Sequence, residues 1–324
     1  MILTVTANPA LDVTYRVDSL LPGRTHRVTE VLERAGGKGF NVSRVLHERG
    51  IPTLAIGPVG GHRGAVLRAD LVETGVPHEL VEVEASTRMT ISVAAAEATM
   101  LNEPGHPLCA EDWSRLFALV GRHLSAARVL VCSGSLPPSA PDTTYARLVR
   151  LARAAEVRTI VDTSGSALWA AAEAGADVLK PNADELRELL GDNDLMRSAH
   201  VLRGVGAREV VVSMGADGLI GVTEDGCFRA APPFAVAGNP TGAGDAAVAA
   251  LADGLAREVA WPQRLRTAVA WSAAAVAAPM AGSVDSVLAE RIADGVTVTA
   301  LRPPGKNQAG AALKNDQPTY RDRP

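Results

Sequence analysis

Short β-rich runs fill the first hundred residues, and from about residue 128 apolar runs alternate with amphipathic ones. "ILTVTAN", "DVTYRVD", "RVTEVLERA" and the stretch "TRMTISVAAAEATMLNEPG" (87–105) carry Thr and Val at near-alternate positions. That is the period of strands with one buried face. Between them, Val42, Val45, Leu46 and Arg49 of "KGFNVSRVLHERGI" recur at helical spacing. Further on, "ARVLVCSGS", "RTIVDTSG" and "ADVLKPN" read as buried strands. "PDTTYARLVRLARAAEV", "ALWAAAEAG" and "ADELRELLG" read as the helices between them, the first opened by Pro141 and capped by Asp142. "REVVVSMGADGLIGVTEDG" reads as strand, turn and strand, and two Ala-rich helices follow. The alternation predicts an α/β fold with a mostly parallel sheet covered by helices on both faces.

The early strands exceed what one such sheet needs. They predict a small β lid, drawn from about residues 11–33 and 86–101, beside a main domain that spans 1–300. Residues 301–324 are rich in Pro, Gly and polar residues without periodicity, so disorder is expected there.

Composition narrows the choice of function. Hydrophobic residues make up 47% of the 324 positions but aromatics only 3%, so Ala, Val and Leu must fill the core and a base-stacking surface is not expected. A net charge of −4 supplies no general field for a polyanion, and a small anionic substrate would need locally placed cations. Nucleic acid is therefore not an expected partner. The chain enters its first strand without a charged leader, and "AAAVAAPMAG" is too short to span a bilayer, so a cytoplasmic protein without membrane contact is expected. Cys109, Cys132 and Cys227 lack CxxC or metal spacing and read as buried free thiols.

One stretch carries chemistry. In "GNPTGAGDAAVAAL" (238–251) Gly242, Ala243, Gly244 and Asp245 stand between a strand-like run and a helix. Glycines at a helix N-terminus let backbone N–H groups converge where the helix dipole is positive, which suits a phosphate or a transferring phosphoryl group. A carboxylate there would repel a resting phosphate but could take the proton of an attacking hydroxyl. The plainer alternative makes Asp245 a helix cap. "GAGDAA" also fits the dinucleotide fingerprint, but residues 259–284 hold no Asp or Glu for a ribose, and the turn lies far from the first βα unit. A second glycine stretch, "AGGKGFN" (35–41), brings Gly37, Lys38 and Asn41 to a tight turn into a helix.

Together with "NPALDVTYRVD", "HRVTEV", "TRMTISV", "LNEPG", "SGSLPP", "VDTSG", "KPNADEL" and "SMGADG", in that order, these stretches resemble the PfkB, or ribokinase-like, family of sugar kinases over residues 1–290. The branch that contains 1-phosphofructokinase and tagatose-6-phosphate kinase is the most similar. The resemblance implies a ribokinase-like three-layer α/β/α fold with a β lid, ATP and Mg²⁺ as cofactors, and a homodimer through the lid strands. It implies a transfer from ATP to a ketohexose phosphate, tagatose 6-phosphate or fructose 1-phosphate, to give the bisphosphate. It makes Asp245 the general base and the Gly242–Ala243–Gly244 backbone the anion hole. Asp12, Arg27, Gly37, Lys38, Asn41, Arg88 and Ser135 fall on the substrate side. Asn182, Ser213, Gly215 and Gly218, with Gly242 and Gly244, fall on the nucleotide side. Glu185 and Asp162 are metal candidates. Pro240 departs from the family's frequent Thr and tilts the expected substrate towards tagatose 6-phosphate. The alternatives are a 6-phosphofructokinase, a kinase of a neutral sugar or nucleoside, and a silent sugar sensor.

Overall fold

The computed structural model describes residues 1–95, 98–278 and 280–302. In chain order the elements are β1 (Ile2–Val5), β2 (Ala10–Arg16), β3 (Glu30–Gly36), α1 (Lys38–Glu48), β4 (Thr53–Val59), α2 (Gly61–Glu73) and β5 (His78–Glu82). Next come β6 (Arg88–Ala94), β7 (Ala98–Asn102), α3 (Ala110–His123), β8 (Val129–Ser133), α4 (Thr144–Ala154), β9 (Arg158–Asp162) and α5 (Gly165–Glu173). β10 (Val178–Leu179), α6 (Ala183–Leu190), α7 (Leu195–Val205), β11 (Glu209–Ser213), β12 (Leu219–Thr223) and β13 (Gly226–Ala231) follow. The last described elements are α8 (Ala243–Ala256), α9 (Trp261–Val276), α10 (Ser286–Gly295) and β14 (Thr297–Leu301).

Ten strands form the main sheet in the order β14-β13-β12-β11-β10-β9-β8-β1-β4-β5. From β5 through β11 every pairing is parallel, whereas β11 to β14 pair antiparallel. Strand residues alternate between two cores, as a sheet buried on both faces demands. Leu3, Leu130, Leu179 and Val210 pack with α3 to α7 on one face. Ile2, Val131, Val178 and Val211 pack with α1, α8, α9 and α10 on the other. The α8 run of Ala, Val and Leu is buried from Asp245 to Ala252, so small side chains let this helix lie close under the sheet.

A second sheet has the order β3-β2-β6-β7, with β2 and β6 parallel and the outer pairs antiparallel. The run read as one β segment over 87–105 is thus two strands, β6 and β7. Three other expectations change. Thr143, not Asp142, is the residue before α4, because Pro141 and Thr144 close a turn first. Among the described residues three helices rather than two follow the glycine turn. Leu301, placed in the tail by composition, ends a strand against Cys227; the rest of the expected tail, beyond Arg302, lies outside the described residues. Cys132 and Cys227 are buried, but Cys109 is exposed ahead of α3.

The order of the main sheet reverses at β1, which has β4 on one side and β8 on the other. Open parallel sheets bind ligands beyond the carboxyl ends of their strands at such a reversal.

Candidate active site

A cavity of about 1100 Å³ occupies that place. Its wall is made by residues at or just past the ends of β1 (Asn8), β8 (Gly134, Ser135), β9 (Asp162), β10 (Lys180) and β11 (Ser213). The second sheet contributes Asp12 and Arg88, and the N-terminus of α8 contributes Gly242 to Asp245. Gly37, Lys38, Asn41, Asn182, Glu185, Gly215 and Gly218 also line it. Of the residues singled out from sequence, Arg27 alone is elsewhere. It is exposed in the loop between β2 and β3, with no place in the cavity wall.

Gly242 starts α8 in the left-handed region, at φ 86°, and no side chain caps the helix. A Cβ on Gly242 would press on the Ala281 backbone at 2.8 Å, so glycine is required twice over. The Ala243 N–H donates to the Pro240 carbonyl at 3.1 Å, but with no side-chain cap the Gly244 and Asp245 N–H groups have no partner among the described residues and are left for an anion. Asp245 does not turn back to cap them. It is buried, and its Oδ2 accepts a 2.8 Å hydrogen bond from Asn41 Nδ2 on α1. Burial pushes its carboxyl up to about 7, against the pull of Lys38 and the Asn41 bond. A carboxylate with that pKa suits proton abstraction near neutral pH.

Two lysines share one carboxylate beside it. Lys180 Nζ lies 3.2 Å from Asp162 Oδ1, and Lys38 Nζ lies 3.6 Å from Asp162 Oδ2 and 3.7 Å from Glu185 Oε1. Ser133 Oγ donates to Asp162 Oδ2 at 3.0 Å. Burial alone would raise the Asp162 carboxyl, but Lys180, Lys38 and Ser133 outweigh it and hold it below the usual carboxylate range. Asp162 in turn is the main reason that the Lys38 ammonium is held firmly charged. A Cβ on Gly244 would be 3.7 Å from Lys180 Nζ, which puts that cation against the uncapped helix end. The sequence reading passed over Lys180, although it opens "KPNADEL". Its value depends on β9 and β10 being neighbours, which only the sheet order reveals.

On the side of the small sheet, burial pushes the Asp12 carboxyl up to about 6, with Arg88 the strongest opposing influence. A Cβ on Gly36 would overlap that carboxylate, so the glycine makes room for it. Arg88 is held through Nε by the Asn8 carbonyl at 3.1 Å and through Nη1 by the Glu103 carbonyl at 3.1 Å. Lys38, grouped with Arg88 by sequence, lines the same cavity and lies within ion-pair distance of Asp162 and Glu185.

These features match a known pattern: the model of the pfkB family carbohydrate kinases fits residues 5–286. The chain belongs to that family. It is 37% identical over 281 residues to a 1-phosphofructokinase of Xanthomonas campestris, covering 82% of this chain and 88% of that one. The phosphofructokinase-2 of Escherichia coli, solved in complex with fructose-6-phosphate, superposes with a TM-score of 0.83 at 31% identity, over 90% of this chain and 98% of that one. A ribokinase of Arabidopsis thaliana, 19% identical, shares the fold with a TM-score of 0.70 over 90% of this chain and 98% of the other. This pfkB member is accordingly a sugar phosphotransferase of ribokinase-like fold that uses ATP.

The metal candidates fit unequally. Among the described residues no group of three or more His, Cys, Asp or Glu side chains is placed to hold an ion. Asp162 faces two lysines and accepts from a serine through Oδ2, while its buried Oδ1 has no hydrogen-bond partner among the described residues. Glu185 spends Oε2 on the Asn182 backbone N–H at 2.8 Å and keeps Oε1 on the cavity side of Lys38. That single oxygen suits Mg²⁺, which is usually carried by phosphates and one or two carboxylates.

Proposed function

We propose that the protein transfers the terminal phosphoryl group of ATP to a free primary hydroxyl of a ketohexose phosphate, with Asp245 as general base. The observation that carries this reading is the α8 N-terminus. It is uncapped, flanked by Lys180, and paired with a buried carboxyl near 7 that Asn41 aims. Phosphoryl transfer needs mainly positioning and charge stabilisation, and this constellation supplies both. The N–H groups at the helix start and Lys180 hold the transferring group, while Lys38 stays charged beside Glu185. Mg²⁺ supplied with the nucleotide would screen the β- and γ-phosphates, and Glu185 is the residue with an oxygen to offer it. Ser213, Gly215 and Gly218, with Asn182, form the nucleotide wall.

On the acceptor side, Asp12 would receive sugar hydroxyls and Arg88, with Ser135, the sugar's own phosphate. The small sheet would act as a lid that excludes water from the transfer. Its exposed Val31, Met100 and Leu101 support a homodimer through the lid strands. Among the described residues no helix is long and apolar enough to cross a membrane.

The relative named 1-phosphofructokinase moves fructose 1-phosphate ahead of the tagatose 6-phosphate suggested by Pro240. With Arg27 outside the cavity and Lys38 on the transfer side, the preference for a phosphorylated sugar rests on Arg88. The test is kcat/KM for fructose 1-phosphate, fructose 6-phosphate, tagatose 6-phosphate and free fructose. A phosphorylated ketohexose should exceed fructose by about one to two orders of magnitude, since a charge-assisted contact is worth roughly 1.5–3 kcal/mol. Comparable values would return the reading to a neutral-sugar kinase.

A further inference from the structure

Asn8 stands three residues past the end of β1, where the sheet order reverses, and its side chain is buried in the cavity wall. Its Nδ2 donates to the Pro104 carbonyl at 3.0 Å, to Ser135 Oγ at 3.3 Å and towards the Leu136 carbonyl at 3.5 Å. Those partners are 96, 127 and 128 residues away along the chain. One amide therefore joins the segment that leaves β7 to the loop that leaves β8.

The first of those segments is what holds Arg88. Glu103 gives Arg88 its carbonyl, while its carboxylate Oε2 accepts from the Met89 N–H at 2.9 Å and from Arg63 Nη1 at 2.7 Å. The Asn8 carbonyl takes Arg88 Nε, and Thr90 Oγ1 accepts from Nη1 at 3.3 Å. Nη2 donates to nothing among the described residues, so the guanidinium is fixed through Nε and Nη1 and keeps the two N–H groups of Nη2 to offer. An arginine held this way presents Nη2 to an anion at little further entropic cost.

We infer that Asn8 is a positioning residue: by bracing the Glu103–Pro104 segment against Ser135 it aims Arg88 and Ser135 at the sugar's own phosphate, and so sets the preference for phosphorylated over neutral sugar. This rests on the reading of Arg88 proposed above. The chemistry of the brace explains why an amide stands at this position. Two of its partners are carbonyl oxygens, which only accept, and the third is a hydroxyl. An aspartate of nearly the same shape would turn a lone pair on both carbonyls and open the junction.

The experiment compares kcat/KM for fructose 1-phosphate and free fructose, with KM for ATP and melting temperature, in the wild type, Asn8→Asp, Asn8→Ala and Arg88→Ala. In Asn8→Asp the value for the phosphate should fall at least about tenfold, mostly through KM. The values for fructose and the KM for ATP should stay within about threefold, so that the ratio of the two sugars collapses. Asn8→Ala, which removes the donor without adding a lone pair, should move the same ratio less and serves if the aspartate does not fold. General damage would lower both sugars alike and leave the ratio intact, and that result overturns the inference. Arg88→Ala separates two failures. A ratio that falls in Arg88→Ala but holds in both Asn8 variants refutes the role of Asn8 alone. A ratio that holds in all of them refutes the reading of Arg88, and the inference with it.

Discussion

Two helices, α6 and α8, begin at the same cavity and carry a carboxylate at the same position, the third residue of the helix. In α6 the preceding residue is Asn182. Its side chain accepts from the Glu185 N–H at 2.8 Å, and Glu185 returns the bond to the Asn182 N–H at 2.8 Å. The end is closed on itself, a reciprocal capping box. In α8 the preceding residue is Gly242, which has no side chain to offer, and Asp245 turns away to Asn41. The helix end keeps the Gly244 and Asp245 N–H groups, and the carboxylate stays available for the chemistry proposed above. A carboxylate in the first turn is thus explained by capping at Glu185 and not at Asp245. The residue one turn earlier makes the difference.

The largest break in this comparison is Asp245→Asn. Losing a general base costs roughly 10²- to 10⁴-fold in rate, so kcat should fall in that range while ATP affinity, measured by calorimetry, changes less than about threefold. Gly242→Ala attacks the other half of the α8 end. Its Cβ would meet Ala281 and disfavour φ 86°, shifting the first turn of N–H groups. Turnover should drop at least about tenfold, since displaced anion-hole donors lose much of their roughly 10²- to 10³-fold contribution; a melting curve will show destabilisation as well.

At α6 the effect is on stability. Asn182→Ala removes a cap worth about 0.5–2 kcal/mol, and the melting temperature should fall by a few degrees, with Asn182→Ser recovering most of it. The smallest effect separates the two carboxylates by charge. Asp245 titrates at about 7 in the folded chain and near 3.9, roughly, when unfolded. Between those values the folded state binds the extra proton, so stability is lost as pH rises through about 7. Asp245→Asn escapes that loss. Its melting temperature should exceed the wild type by a few degrees at pH 8, and the gap should close towards pH 4.

Local pattern was enough for the parts of this molecule that are local. The β/α alternation after residue 128, the turn into α8 and the split between main sheet and small sheet all follow from period and glycine placement over short windows. What escaped depends on distant segments meeting. Asn8 and Lys180 lie inside stretches already singled out, yet their partners are set by which strands are neighbours in the sheet. Arg27 lies apart from the cavity for the converse reason. Nothing in its own loop shows that β2 and β3 carry it out to solvent. The two lysines beside Asp162 likewise come from other segments, one just past β10 and one on α1, so its surroundings could not be read from its own stretch.

The central claim is that Asp245 takes the acceptor's proton at an open helix end. The pH dependence of kcat/KM for the sugar phosphate at saturating Mg·ATP, followed in the wild type and in Asp245→Asn, tests it most directly. The wild type should rise with pH and level off above about 7, as a base that must lose its proton first. The asparagine variant should be slow at every pH and lack that rise. An asparagine variant that keeps the wild-type rate and inflection would contradict the account.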